Sequence, residues 1–314
     1  MTARTGVVLM TFGSAVTGDD VPAYLASVRA GRAVPDDVIA EFKRRYAVIG
    51  RSPLIDITRA QADALQTLLD ATEPDAFRVA FGMLHSDPRL AGAVDGLVRD
   101  GVARIVAIVL APQYSPIILA GYEREIAAAR ERHRDVEIRI APAWHLSDGW
   151  IDSLAERLGN ALGALAPEGS SRIPIVFTAH SLPRAVVDRD PGYIEQLRDT
   201  AACVAQRLHL PADRWRFAYQ SAGHTPEEWL TPDLNDVLPT LRDEGHHDVL
   251  VVPLQFLADH LEILYDIDVA ARQQAESAEI TLHRIELPNT SPTFIAALAQ
   301  VVKREIAFGR ASTL

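Results

Sequence analysis

Short apolar runs rich in β-branched residues recur along this chain, and each is followed by a stretch whose apolar residues have helical spacing. This alternation is typical of parallel β-sheets covered by α-helices, so it predicts an α/β fold. In the first half of the chain, the predicted strands are residues 7–12, 77–83, 105–111 and 138–141. In the second half, they are residues 173–178, 216–220, 249–256 and 280–285.

The length of 314 residues predicts two domains, with one larger compact domain as the alternative. Each half holds four predicted strands, separated by helical segments such as 57–69, 193–208 and 261–274. We expect two similar doubly wound domains: residues 1–146 with a returning C-terminal helix in 288–314, and residues 147–287. Residues 164–172 are predicted to form a loop within the second domain. Ligands of such sheets bind beyond the carboxyl ends of the strands, and the cleft between the domains is the expected site.

The composition limits the classes of function. A formal net charge of −11 repels phosphate backbones and argues against nucleic acid as a partner. The single cysteine, Cys203, provides neither a disulfide nor the thiolates of a zinc site or iron–sulfur cluster, and a reducing cytoplasm is the simplest location. The longest nearly apolar run, 105–112, is too short to cross a bilayer. The apolar stretch near residue 7 is predicted to be the first strand, with a signal peptide as the lesser alternative.

Several common catalytic and nucleotide-binding motifs are missing. The chain has neither GxGxxG after the first strand nor GxxxxGK[ST], so no nucleotide cofactor is predicted. HExxH, GxSxG and paired CxxC motifs are also absent from the sequence, which argues against the commoner zinc peptidases, hydrolases and zinc ribbons.

The segment FTAHSLP, residues 177–183, places a histidine at the end of a predicted strand, and a proline then prevents the strand from continuing. A neutral imidazole at this edge can bind a metal or accept a proton near neutral pH. His180 is therefore a candidate catalytic residue. The alternative is a histidine whose ring only bonds a nearby carbonyl.

The segment DHLEILYD, residues 259–266, begins a predicted helix with several acids. Asp259 and Glu262 have the spacing of a helix cap with its reciprocal partner, which is one complete explanation. Glu262 and Asp266 are four residues apart and are expected on one helical face, where like charges repel by a few tenths of a kcal/mol. A divalent cation, or protons leaving a substrate, would offset that repulsion.

The segment 29–51 is a basic island in an acidic chain, with six basic and three acidic side chains. Guanidinium groups bind carboxylates through paired hydrogen bonds, so Arg29 and Arg45 are candidates to hold an anionic ligand. A solvated helix face with salt bridges is the alternative. His224, in a polar loop, stays ambiguous, and Cys203 is predicted to be a small core residue.

Taken together, these segments resemble the ferrochelatase family, and the similarity runs over residues 7–299. The specific motifs are TAHSLP at 178–183, YQSAGHTPEEWLTPD at 219–233 and VPLQFLADHLEILYDID at 252–268. The resemblance implies two Rossmann-like domains that clamp a porphyrin in their cleft, and a reaction in which Fe²⁺ replaces two pyrrole protons. His180 and Glu262 match the family's catalytic histidine and glutamate. By the same resemblance, metal is expected at His180, Glu262 and Asp266.

The resemblance also implies residues that hold the porphyrin. By position they are Phe12, Arg29, Arg45, Tyr46, Ser52 and Tyr122. Phe12 stands where many bacterial members have a tyrosine that can ligate the iron, and a phenyl ring cannot do so. Ala270 replaces a further acid on the helix after Asp266, which shortens any line of carboxylates.

The expected enzyme is a cytoplasmic monomer that uses Fe²⁺ as substrate and has no iron–sulfur cluster. Coproporphyrin III is favoured over protoporphyrin IX, because four propionates need more cationic partners than two and the basic island offers them. Two alternatives remain open on the sequence: a cobalt or nickel chelatase of a related tetrapyrrole, and a non-enzymatic carrier of porphyrin or haem.

Overall fold

A computed structural model of the protein describes residues 4–165, 173–223 and 226–311. Most of the predicted loop at 164–172 lies outside the described residues, as does His224. The chain forms two compact units, and each contains a parallel sheet flanked by helices.

The first unit consists of Met1–Trp144, Ala258–His260 and Asn289–Leu314. Its described residues form one parallel sheet in the order β2-β1-β3-β4, with strands β1 (Thr5–Thr11), β2 (Phe77–Met83), β3 (Arg104–Val109) and β4 (Glu137–Ile140). The central strand β1 is buried throughout, which explains why its sequence is a nearly continuous apolar run. The helices are α1 (Val21–Val28), α2 (Asp36–Ile49), α3 (Leu54–Thr72), α4 (Leu90–Arg99) and α5 (Pro116–Arg132).

The second unit consists of His145–Leu257 and Leu261–Pro288. Its described residues form a second parallel sheet in the order β6-β5-β7-β8, with strands β5 (Ile175–His180), β6 (Trp215–Gln220), β7 (Asp248–Pro253) and β8 (Thr281–Arg284). The helices are α6 (Asp148–Leu165), α7 (Arg184–Val187), α8 (Gly192–Arg207), α9 (Leu234–Asp243), α10 (Leu261–Leu264) and α11 (Arg272–Ser277). A 3₁₀-helix (Ala212–Arg214) and a π-helix (Asp266–Ala271) complete this unit as described.

The predicted α/β class with two four-stranded parallel sheets is confirmed by the described residues. Several strands end one to three residues earlier than predicted, and the largest difference is at β7, where the apolar run at 249–256 continues beyond the strand's end at Pro253. Proline has no N–H, so it cannot donate the hydrogen bond that would extend the ladder on that edge of the strand. The strand therefore ends although the sequence stays apolar.

The predicted helical segment at 261–274 is helical in the structure, but it is not one regular α-helix. It consists of α10, the π-helix and α11 in succession, and within the π-helix the N–H of Ala270 donates to the carbonyl of Tyr265, five residues back, at 2.9 Å. The Asp268 carboxylate accepts hydrogen bonds at 2.9 and 2.8 Å from the guanidinium of Arg284 at the end of β8. This pair ties the π-helix to the second sheet.

The last helix, α12 (Pro292–Ala311), packs against α3 in the first unit. Nearby, the side chain of Gln61 on α3 donates to the carbonyl of Asn289 at 2.8 Å. Residues from both ends of the sequence thus build the first unit. Among the helices of the described residues, none has both the length and the apolar character needed to cross a membrane.

Candidate active site

His180 is the last residue of β5, a strand that lies between β6 and β7 in the second sheet. Parallel strands end at the same edge of a sheet, and the ends of central strands are where such folds bind ligands. The next residue, Ser181, donates its N–H to the carbonyl of Gln220 at 2.8 Å and its hydroxyl to the carbonyl of Leu230 at 3.1 Å. The backbone that follows the histidine is therefore fixed on two sides.

The ring of His180 has one nitrogen engaged by the protein. Its Nδ1 lies in hydrogen-bond contact with the carbonyl oxygen of Ser181. A carbonyl oxygen only accepts, so Nδ1 carries the proton in this contact and Nε2 of the neutral ring keeps its lone pair. The sequence left open that His180 only bonds a nearby carbonyl. The structure shows such a bond, but it involves Nδ1 alone. Nε2 remains the atom that can take a proton or a metal.

Glu262 lies in the short helix α10 and directs a carboxylate oxygen toward this nitrogen. Glu262 Oε1 lies 3.8 Å from His180 Nε2, and the two side chains are 38% and 26% exposed. This separation is longer than a direct hydrogen bond. The pair therefore presents a lone pair and a carboxylate side by side, partly open to solvent, as a proton acceptor or cation-binding group requires.

Asp266 opens the π-helix that follows α10. Within the described residues, no group of three or more His, Cys, Asp or Glu side chains is arranged to hold a metal ion. The structure thus brings His180 and Glu262 together and does not add Asp266 to them as a third ligand. The metal-binding set of all three residues stays a prediction.

Three of the predicted porphyrin contacts meet around the loop that follows β1 in the first unit. Phe12 begins this loop and is 46% exposed. The hydroxyl of Tyr46 donates to the carbonyl of Ala15 at 3.0 Å, and the N–H of Ser52 donates to the carbonyl of Val16 at 2.9 Å. The Ser52 hydroxyl is buried and has no hydrogen-bond partner among the described residues.

The other three predicted contacts have different surroundings. Arg29, at the end of α1, donates to the carbonyl of Ala33 at 3.3 Å. Arg45 on α2 pairs with Glu41 at 2.8 Å. Tyr122 is only 4% exposed, and burial raises the pKa of its hydroxyl well above the ordinary value. Tyr122 and Tyr46 are core residues here, which their sequence positions did not indicate.

His85, a polar residue just beyond β2, was not assigned to the site from the sequence, and it lies beside Phe12. Its ring lies 4.5 Å from the ring of Phe12 between centroids, and its Nδ1 lies 3.1 Å from the Ser27 hydroxyl. Burial, reinforced by Arg89, lowers the pKa of His85, so the imidazole is neutral near pH 7. Its position directly after a predicted strand was the signal that could have identified it.

Comparison with known proteins now identifies the family. A family model described as Ferrochelatase matches residues 4–306. The chain belongs to the ferrochelatase family. A protein of Herpetosiphon aurantiacus named ferrochelatase is 37% identical over 96% of this chain and 99% of its own length. A protein of Geobacillus thermodenitrificans named coproporphyrin III ferrochelatase is 35% identical over 96% of each chain.

Membership of the ferrochelatase family confirms the predicted activity class: this is an enzyme of haem synthesis that inserts ferrous iron into a porphyrin. Solved chelatase structures share the fold. SirB of Bacillus subtilis with Fe³⁺ has a TM-score of 0.60 at 12% identity, covering 98% of each chain. CbiX, from denitrifying bacteria, has a TM-score of 0.57 at 16% identity, covering 95% of this chain and 98% of its own. At such identities the likeness concerns the fold alone.

Proposed function

We propose that the porphyrin substrate of this ferrochelatase is coproporphyrin III and that His180 and Glu262 form the catalytic pair. The catalytic pair is supported by one distance: Glu262 Oε1 lies 3.8 Å from His180 Nε2 at the end of a central strand. The enzyme acts in the cytoplasm, and the predicted second domain, 147–287, provides both residues.

The chemistry requires that two pyrrole N–H protons leave while Fe²⁺ takes their place. In this proposal His180 accepts a proton at Nε2, the nitrogen left with a lone pair by the Nδ1 contact to Ser181. The carboxylate of Glu262 stabilises the imidazolium that results, and it offers an oxygen through which a cation or a proton can pass. Because both side chains are partly exposed, protons can leave to water.

The names of relatives and the basic side chains of the first unit both support coproporphyrin III as the substrate. Relatives such as the Geobacillus protein are named for that substrate. The first unit also holds groups suited to carboxylates, the guanidinium groups of Arg29 and Arg45. Four propionates would engage more of these groups than the two of protoporphyrin IX.

The test is an anaerobic assay of the purified chain with Fe²⁺ and each porphyrin in turn, followed by loss of porphyrin fluorescence and gain of metalloporphyrin absorbance. We expect a higher kcat/KM with coproporphyrin III. His180→Ala and Glu262→Gln should each reduce insertion by about a hundredfold or more, the scale for losing a positioned acid–base group, while porphyrin binding survives.

His246→Ala is the matched control, since His246 lies in the turn after α9. It should keep wild-type rates. A folded His180→Ala or Glu262→Gln enzyme with near wild-type turnover would refute the assignment at that position. Equal or lower kcat/KM with coproporphyrin III than with protoporphyrin IX would refute the substrate.

A further inference from the structure

The backbone hydrogen-bond ladder between β5 and β7 ends before it reaches the N–H of His180. The register pairs Ile175 with Leu250 and ends with Thr178 opposite Pro253. Just beyond, the N–H of Leu254 donates to the carbonyl of Thr178 at 2.8 Å. Donors facing the same neighbour recur every second residue in a strand, so the next N–H of β5 on this edge is that of His180.

A side chain accepts this last N–H. The amide oxygen of Gln255, two residues after the end of β7, accepts from the N–H of His180 at 3.0 Å. A backbone N–H can only donate, so this contact identifies the oxygen of the Gln255 amide and fixes its orientation. The side chain of Gln255 therefore extends the ladder to the catalytic histidine after the β7 backbone has turned away.

The same oxygen accepts a second hydrogen bond, from the hydroxyl of Tyr193 at 3.0 Å. Tyr193 lies near the start of α8 and is 1% exposed. Burial raises the pKa of its hydroxyl well above the ordinary value, and the negative charge of Glu262 acts in the same direction. Tyr193 thus stays a neutral donor, and Gln255 joins α8, the turn after β7 and the end of β5 at a single atom.

We propose that Gln255 is a positioning residue for His180, holding its backbone so that Nε2 faces Glu262. This inference rests on the proposed function of the pair. Ser181 fixes the ring through Nδ1, and Gln255 fixes the main chain from which the ring projects. Loss of the Gln255 oxygen would let the end of β5 move, and shifts of about 1 Å at a reacting group cost up to about a hundredfold in rate.

The test compares Gln255→Met, which keeps length and volume but removes the acceptor, with Gln255→Glu, which keeps an oxygen at the same reach. For Gln255→Met we expect kcat to fall about tenfold with the porphyrin KM within about twofold, because ground-state binding is untouched. Gln255→Glu should recover most of the lost kcat. Gln255→Asn is the variant to use if Met impairs folding: it stays polar, but its oxygen falls short of His180 N–H, so it should also lose kcat.

The chain offers a close control. In the first unit, the side-chain oxygen of Gln66 on α3 accepts a hydrogen bond from the N–H of Val79 in β2 at 2.8 Å. Like Gln255, Gln66 thus accepts from the backbone of a strand. Gln66→Met should lower thermal stability without changing kcat. If Gln255→Met or Gln255→Asn keeps wild-type kcat, or if Gln255→Glu recovers none of it, the positioning role is refuted. Near wild-type turnover by folded His180→Ala or Glu262→Gln enzyme would instead refute the proposed catalytic pair.

Discussion

Phe12 places an aromatic ring without a ligating atom just after β1, tilted against the ring of His85 in the first unit. Phe12→Tyr should hold ferric haem more tightly than wild type, because a phenolate can ligate iron and a phenyl ring cannot. We expect a new phenolate-to-iron charge-transfer band in the visible spectrum and a haem off-rate lower by about tenfold, which corresponds to about 1.4 kcal/mol. The side chain is 46% exposed, so the added hydroxyl stays hydrated and stability should change little.

Phe81→Tyr, on β2 in the same unit, is the matched control, since it adds a hydroxyl away from the loop after β1. It should leave both the spectrum and the off-rate as in wild type. If Phe12→Tyr gives the same result as this control, position 12 does not face the iron. The correspondence between Phe12 and the ligating tyrosine of other members would then be wrong.

Individual residues were predictable to different degrees. His180 and Glu262 stood out because each follows an apolar run that had to be a strand, and their motifs matched a family. The sequence could not indicate that the Ser181 carbonyl would engage Nδ1, since that contact depends on the dihedral angles of one turn. It also could not indicate the burial of Tyr46 and Tyr122, because their helices have polar residues on several faces.

At the scale of elements, α2 joins two adjacent arginines to one carboxylate. Arg44 and Arg45 both bond Glu41 at 2.8 Å, and these bonds lower the pKa of Glu41 to about 2. The side chain of Arg44 is 55% exposed and that of Arg45 is 16% exposed. The two arginines therefore share a partner and differ in exposure, so substitutions at the two positions can distinguish a ligand contact from a solvated helix face.

We expect Arg45→Ala to raise the apparent KM for coproporphyrin III by about tenfold with kcat nearly unchanged, since a carboxylate clamp contributes equally to ground and transition states. The rise should be smaller for protoporphyrin IX, which has two fewer carboxylates. Arg44→Ala is the matched variant and should change KM by less than about twofold. Steady-state kinetics that show the same KM for both variants would assign Arg45 to the solvated face.

Helices and strands could be predicted where one periodicity dominated. The strand at 77–83 was predicted with its observed ends, because the turn-forming segments EPD at 73–75 and HSDP at 85–88 lie one residue outside it on either side. The segment 261–274 was predicted as helical, and it is, but its central part is the π-helix Asp266–Ala271. The spacing of apolar residues cannot distinguish an α-helix from a short π-helix, since a π segment shifts the pattern by only one residue. The pair of Asp268 with Arg284, distant in sequence, contributes to the geometry that the local pattern leaves open.

For the whole molecule, the fold followed from the alternation of strand and helix patterns, whereas the activity required the motifs. Parallel sheets with helices serve many chemistries, so the architecture alone could not separate an iron chelatase from a carrier. The motifs at 178–183 and 252–268 made that distinction through their resemblance to the ferrochelatase family. In the structure, the same two motifs place a histidine 3.8 Å from a glutamate. In the proposed function, substrate choice depends on side chains of the first unit, and these form no such compact motif.

The net charge of −11 sets a global field that opposes a tetra-anionic porphyrin and favours Fe²⁺, while the basic segment 29–51 acts locally in the opposite sense. Close contacts dominate over a diffuse charge, so salt should weaken porphyrin binding. Raising NaCl from about 20 to about 200 mM shortens the screening length to below about 10 Å. We expect the KM for coproporphyrin III to rise about fivefold and that for protoporphyrin IX about twofold, measured at saturating iron. A KM for coproporphyrin III that falls with salt would mean that the global field controls its capture and that the arginines of α1 and α2 do not bind propionates.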